Sequence, residues 1–165
     1  MKRLSLYLFL ILFTLQTPSQ ADDIKDFQIE GMSIGDSLLD YFTEEEINSF
    51  GKDYYPRSKK YYMIESNDKF DEYDAVAFHV KDKDKKYLIT TIKGVIFYDK
   101  NLKKCKKKMN EIENFVSNFL KKPRDLYKEK KHTDKSGKSF ISYFYIEKGR
   151  IALWCVDWTK KTENT

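Results

Sequence analysis

The sequence predicts an α+β protein: two short N-terminal helices, then an antiparallel sheet of about five strands covered on one face by one long helix, in the order ααβββαββ. Three observations carry this. Leu102, Cys105, Met109, Ile112, Val116 and Phe119 recur in steps of three and four, the apolar stripe of an amphipathic helix, with Phe115 and Leu120 beside it. Runs rich in Val, Ile, Tyr and Phe lie on both sides of that stripe and alternate with a period of two. Helices come first, then strands, the long helix and a final hairpin, which suits layered packing better than a parallel sheet.

The chain opens with a segment that reads as a secretory leader, residues 1–21. Lys2 and Arg3 precede an apolar run over residues 4–15, and Ser19-Gln20-Ala21 is a small-x-small site ahead of Asp22-Asp23. Twelve helical residues span roughly 18 Å, short of the ~30 Å hydrocarbon core. No Cys stands immediately after the leader, the nearest being Cys105, so lipid anchoring is not expected. The expectation is cleavage near Ala21 and a single mature domain, residues 22–165, in the periplasm or secreted, with no transmembrane helix.

Within that domain, residues 22–29 read as an extended lead-in. Gly31-Met32-Ser33-Ile34-Gly35-Asp36 reads as a turn into a short helix, with Ser33 or Asp36 as N-cap and Ile34, Leu38, Leu39 and Phe42 as its apolar side. Thr43 followed by Glu46 is a capping box for a second helix; Glu44, Glu45 and Glu46 place negative charge at the positive end of its dipole, and Gly51 suits its stop.

Strands are expected at 60–66, 73–81 and 86–93, the last two joined by the polar tip Asp82-Lys83-Asp84-Lys85. Val76, Phe78 and Val80 share one face; Ala75, Ala77 and His79 share the other. Gly94 marks a bulge or break before Val95-Ile96-Phe97-Tyr98. The long helix covers 101–122 and ends at Pro123. Residues 124–138 read as a charged loop, and 139–147 with 150–158 as a hairpin around Lys148-Gly149.

Composition narrows the partners. Loss of Lys2 and Arg3 with the leader lowers the formal net charge from +5 to +3, near neutrality. The basic residues are 27 Lys and only 4 Arg, whereas nucleic-acid sites lean on Arg for bidentate contacts, so no nucleic-acid partner is expected. With 12 Phe and 12 Tyr, a domain of this size buries about two-thirds of its unfolded surface.

Cys105 on the helix stripe and Cys155 on a strand face with Ile151 and Leu153 meet if the helix covers that face, and an oxidising compartment favours a disulfide. The alternative is two unpaired buried thiols. A reactive Cys105 thiolate among Lys103, Lys104, Lys106, Lys107 and Lys108 is a further alternative, weakened by the missing Cys-x-x-Cys. Those five lysines oppose the helix dipole. They form either a solvated face or a site for an anionic envelope component such as lipopolysaccharide, acidic phospholipid or a polymer.

Other patterns carry no chemistry. Ser136-Gly137-Lys138-Ser139 ends like a P-loop, but His132 stands where the first glycine is required. Asp82-Lys83-Asp84 lacks the glycine and distal Glu of a calcium loop. His79 and His132 have no metal or triad spacing. No catalytic residue, metal or cofactor is therefore expected. Tyr54-Tyr55, Tyr61-Tyr62 and the pair Trp154/Trp158, which shares a strand face with Val156, read either as a sugar- or ligand-stacking surface or as core aromatics.

Gly31-Met32-Ser33-Ile34-Gly35-Asp36-Ser37-Leu38-Leu39-Asp40-Tyr41-Phe42, Asp134-Lys135-Ser136-Gly137-Lys138-Ser139 and Cys155-Val156-Asp157-Trp158 together resemble a group of small uncharacterised exported proteins from lysine-rich bacterial proteomes. That resemblance implies no activity. Residues 31–42 are also similar to the helical opening of small outer-membrane assembly lipoproteins and β-lactamase-inhibitor-like domains, although the lipid-attachment Cys and the Gly-x-Pro turn are missing. The expected class is a non-enzymatic protein that binds an envelope protein or anionic envelope component through its sheet face or basic helix end. The alternatives are a small-ligand carrier with aromatics between helix and sheet, and a thiol-based enzyme.

Overall fold

The chain first turns back on itself. A 3-10 turn, Ile24–Asp26, precedes β1 (Gln28–Ile29); Glu30 and Gly31, at φ 52° and 75°, then reverse the chain into β2 (Met32–Ser33). Positive φ at both central residues gives the tight turn whose twist suits an antiparallel pair. The structure, a computed structural model, describes residues 24–67, 70–99, 101–132 and 136–158. The expected leader and the Asp134-Lys135 part of the second sequence motif lie outside those residues. The Glu30 carboxylate accepts hydrogen bonds from the backbone N–H groups of Asp71, Glu72 and Tyr73 at 3.1, 2.7 and 3.1 Å. Those donors, Glu72 foremost, hold its carboxyl below the usual range.

The first expected helix is instead a 3-10 turn, Leu38–Asp40, capped by Ser37, whose Oγ accepts from the Leu39 N–H. Neither Ser33 nor Asp36 is the cap. Asp36 accepts from the Ser33 N–H at 2.8 Å and the Tyr41 hydroxyl at 2.7 Å, and the Gly35 N–H is bonded to the Ile89 carbonyl. The segment is thereby tied to a strand and does not wind further. Helix α1 (Glu44–Ser49) follows with the expected reciprocal Thr43–Glu46 capping box, and Gly51 stands at φ 74° just beyond its C-cap, Phe50.

A four-stranded antiparallel sheet comes next: β3 (Asp53–Tyr55), β4 (Ser58–Ser66), β5 (Ala75–Lys81) and β6 (Ile89–Val95), in that spatial order. Val76, Phe78 and Val80 lie on its inner face with Tyr62, Ile64 and Ile89, beneath Met32, Leu38 and Ile47. Phe42 sets its ring edge-on to both Phe50 and Phe78, at 5.4 and 5.9 Å. Gly94 is not the site of the bulge, which falls between His79 and Val80. It is glycine because the Tyr73 ring occupies the space a Cβ would fill.

Helix α2 (Leu102–Leu120) starts at Asn101, whose side chain accepts from the Lys104 N–H at 3.0 Å, and ends where Lys121 adopts φ 50°. A separate three-stranded antiparallel sheet follows: β7 (Leu126–Lys131), β8 (Gly137–Ile146) and β9 (Gly149–Trp158). The described chain is therefore α+β with antiparallel sheets and one long helix, as expected. It has nine strands in three sheets, however, where one sheet of about five strands was expected. The unexpected strands are peripheral. β1 and β2 have two residues each, β3 has three, and β7 is an edge strand with three lysines in six residues. Lysine on an edge blocks pairing with foreign strands and at the same time erases the apolar alternation by which a strand is recognised.

Helix α2 packs on the β7–β8–β9 sheet, where Met109, Phe140 and Cys155 are buried with Leu102, Cys105 and Leu153 against them. Cys105 and Cys155 form a disulfide with Cα atoms 5.9 Å apart. Inside the same interface, Glu113 accepts from the Ser142 hydroxyl and pairs with Arg124 Nη1 at 2.8 Å. The apolar stripe is incompletely covered at its C-terminal end. Phe115 and Phe119 stay exposed, stacked at 6.2 Å, and Phe119 meets Phe27 edge-on at 4.9 Å.

Candidate functional site

Strand alternation gives the β7–β8–β9 sheet two different faces. Phe140, Ser142 and Cys155 point toward α2, so Ser139, Ile141 and Tyr143 on β8 and Trp154, Val156 and Trp158 on β9 point the other way. Register places Trp154 beside Ile141, Val156 beside Ser139 and Trp158 beside Gly137, while β7 sets Lys128 beside Ile141 and Lys130 beside Ser139. Gly137 is constrained by this pairing, because an added Cβ would overlap the Asp157 carbonyl. The result is an open cleft of about 520 Å³ with lysines along one edge, tryptophans along the other, and a floor of Ser139 and Ile141.

Trp154 and Trp158 are 56% and 59% exposed. Two indoles standing that far into solvent on a regular strand leave a large apolar area unburied, at a cost of about 25 cal/mol per Å². His132 closes the cleft at one end. Its Nδ1 lies 2.9 Å from Ser136 Oγ and its Nε2 2.7 Å from Ser139 Oγ, with the ring edge-on to Trp158 at 5.1 Å. A nucleophile–base reading of Ser139 and His132 lacks the carboxylate that would orient the imidazole, since the second ring nitrogen faces a hydroxyl. The contacts instead pin the end of β7 to the start of β8.

Charge in the cleft is one-sided. Lys128 and Lys130 are exposed, neither is ion-paired among the described residues, and no Asp or Glu is among the residues that line the cleft. Further along the same face, Arg150 stacks its guanidinium 5.6 Å from the Tyr143 ring, which lies parallel to Tyr145.

The five lysines singled out in the sequence sit in different surroundings. Lys106 sets its Nζ 3.3 Å from the centroid of the Phe140 ring, a cation–π contact at the helix–sheet seam. Lys103, Lys104, Lys107 and Lys108 are exposed, and Lys107 pairs with Glu111 at 3.9 Å. The Cys105 thiol is consumed in the disulfide, and the chain has no free cysteine. Of the aromatic pairs, Tyr62 is buried, with its phenol pushed up to about 12 by burial, whereas Trp154 and Trp158 face solvent.

A second cleft, about 450 Å³, lies by residues 31–36 and includes Lys25, Asp36 and Tyr41. Asp36 there is already engaged by the Ser33 N–H and the Tyr41 hydroxyl. The hydrogen bond to Asp36 pushes the Tyr41 phenol up to about 12, and the same bond, with the Ser33 N–H, holds the Asp36 carboxyl down.

Sequence reasoning missed the His132–Ser136–Ser139 cluster because its members straddle a strand end, a turn and a strand start, with no spacing that marks them. No family model matches this chain, and no curated protein or solved structure is similar to it. Among the described residues, no helix is long and apolar enough to cross a membrane.

Proposed function

We propose that this chain is a non-enzymatic binding protein of the periplasm or cell exterior that engages another component of the cell envelope through the open face of its β7–β8–β9 sheet. The single observation that carries the reading is the exposure of Trp154 and Trp158, 56% and 59%, over a floor of buried Ser139 and Ile141. Exposed Trp is enriched at recognition surfaces, where ligand burial recovers the area left in water. The Cys105–Cys155 bond fits an oxidising compartment.

The test is site-specific photo-crosslinking in intact cells. A photoreactive residue at position 158 is expected to give discrete adducts with envelope material, and the same residue at Asn114, exposed on the outer side of α2, to give none. Equal labelling from both positions, or none from position 158, overturns the reading. A small-ligand carrier is the second reading, favoured by a cleft volume of about 520 Å³, within the range of small-molecule sites. Native mass spectrometry of freshly purified protein separates the two, since a carrier retains a small mass and the leading reading predicts none.

A further inference from the structure

Resting on the sheet-face reading above, we infer that the ligand class of the Trp154/Trp158 cleft is an acidic glycan, a chain of pyranose rings bearing carboxylates. Three features of the cleft point to it.

The first is the placement of the indoles. Residues 154 and 158 lie four apart on one strand, so their Cα atoms are separated by about 13 Å. One hexose ring does not span that distance, whereas an oligosaccharide does. Indole faces carry the negative side of the ring quadrupole and attract the polarised C–H groups on the flat face of a pyranose.

The second is charge. Lys128 and Lys130 rise from β7 along the opposite edge, with no carboxylate among the lining residues to neutralise them. A lysine is a compact point charge with rotatable donors, suited to the single carboxylate on each uronic acid ring. Inorganic phosphate or a lipid headgroup would use the lysines and leave both indoles in water.

The third is the polar floor. The Ser139 hydroxyl, which keeps hydrogen-bonding capacity beyond its 2.7 Å contact with His132, and the Tyr143 phenol place donors and acceptors between the aromatic and basic edges, where ring hydroxyls would lie. Single-stranded nucleic acid also combines stacking with cations. Two lysines in place of an arginine-lined groove, in a chain whose disulfide fits an oxidising compartment, favour the glycan.

The chain has only two tryptophans, so both indole N–H resonances report on this cleft. The test titrates the disulfide-intact protein, observed by ¹H–¹⁵N NMR, with a mannuronate hexasaccharide, a neutral cellohexaose, inorganic phosphate and a thymidine decanucleotide. The mannuronate is expected to shift both indole signals saturably and to bind more weakly as salt rises. Trp158→Ala is expected to weaken it about tenfold, and Lys128→Gln/Lys130→Gln to abolish the preference over cellohexaose, each with an unchanged far-ultraviolet CD spectrum.

Equal affinity for cellohexaose overturns the acidic part of the inference. Tighter binding of the decanucleotide, or shifts with phosphate alone that match those with mannuronate, overturns the glycan. Should no probe move the indole signals while position 158 still crosslinks in cells, the glycan assignment falls and the sheet-face reading stands. If the crosslinks are absent as well, both fall.

Discussion

Ser142, with no exposed surface, donates its hydroxyl across the helix–sheet interface to the carboxylate of Glu113. The other carboxylate oxygen is held by Arg124 at 2.8 Å, so a charged group sits at the seam with both oxygens occupied. Removing one member of such a set costs more than replacing several members together, because the penalty lies in the group left unpaired. Glu113→Ala is expected to destabilise by about 1–3 kcal/mol, whereas Glu113→Leu combined with Ser142→Ala is expected to be close to neutral. Urea unfolding midpoints of the two variants check this; equal losses would show that the Ser142 bond is not the source of the cost.

The Cys105–Cys155 bond spans a sequence separation of 50, which in the chain-entropy account is worth about 4 kcal/mol through restriction of the unfolded chain. Cys105→Ser combined with Cys155→Ser is expected to lose about 2–5 kcal/mol. The cleft lies on the opposite sheet face, so acrylamide quenching of the two tryptophans in the folded variant is expected to match that of the parent protein.

Gly94→Ala is expected to cost about 1–3 kcal/mol, because the new methyl group meets the Tyr73 ring and forces it from its place. Adding Tyr73→Ala to Gly94→Ala should cost less than the sum of the two single changes. Strict additivity in thermal unfolding would show that the ring is not the obstacle.

His79 predicts the course of stability with pH. Its Nδ1 lies 2.7 Å from the Tyr55 hydroxyl, and burial, followed by the nearby Lys93 charge, lowers the imidazole pKa below the usual 6.5. The folded protein thus takes up a proton less readily than the unfolded chain. The stabilisation is complete above pH 6.5 and is lost as pH falls from there through the lowered folded-state value. His79→Gln is expected to flatten the slope between those limits. The depressed carboxylates Glu30 and Asp36 act in a separate, more acid window, below their ordinary values of 4.5 and 3.8. A slope just below pH 6.5 that survives His79→Gln would exclude this assignment.

What could be read from the sequence was whatever a single local periodicity or cap determines. The Thr43–Glu46 box, the long helix with its Pro123 stop, the alternation of Val76, Phe78 and Val80, and the β8–β9 hairpin all depend on residues close together in the chain. The meeting of Cys105 with Cys155 followed from those elements once a helix-on-sheet layer was assumed. β7 was hidden because Tyr127, Lys128, Glu129, Lys130 and Lys131 are all exposed, so no face reads as apolar. Ser33 and Asp36 looked like caps, yet Ser33 pairs with Gln28 across the β1–β2 turn, and the bonds of Gly35 and Asp36 to Ile89 fix the backbone that follows. The orientation of Trp154 and Trp158 was beyond local reading for a similar reason: period two assigns them a common face, but only the position of α2 decides which face is covered.

Lys128 and Lys130 occupy an edge strand, and that placement couples two properties that are usually separable. The same ammonium groups that line the cleft also keep the bare backbone of β7 from annealing to another sheet. Selection cannot dial the charge of this rim up or down without altering how well copies of the chain stay apart. An anion neutralising both side chains would lower that barrier at the moment of capture.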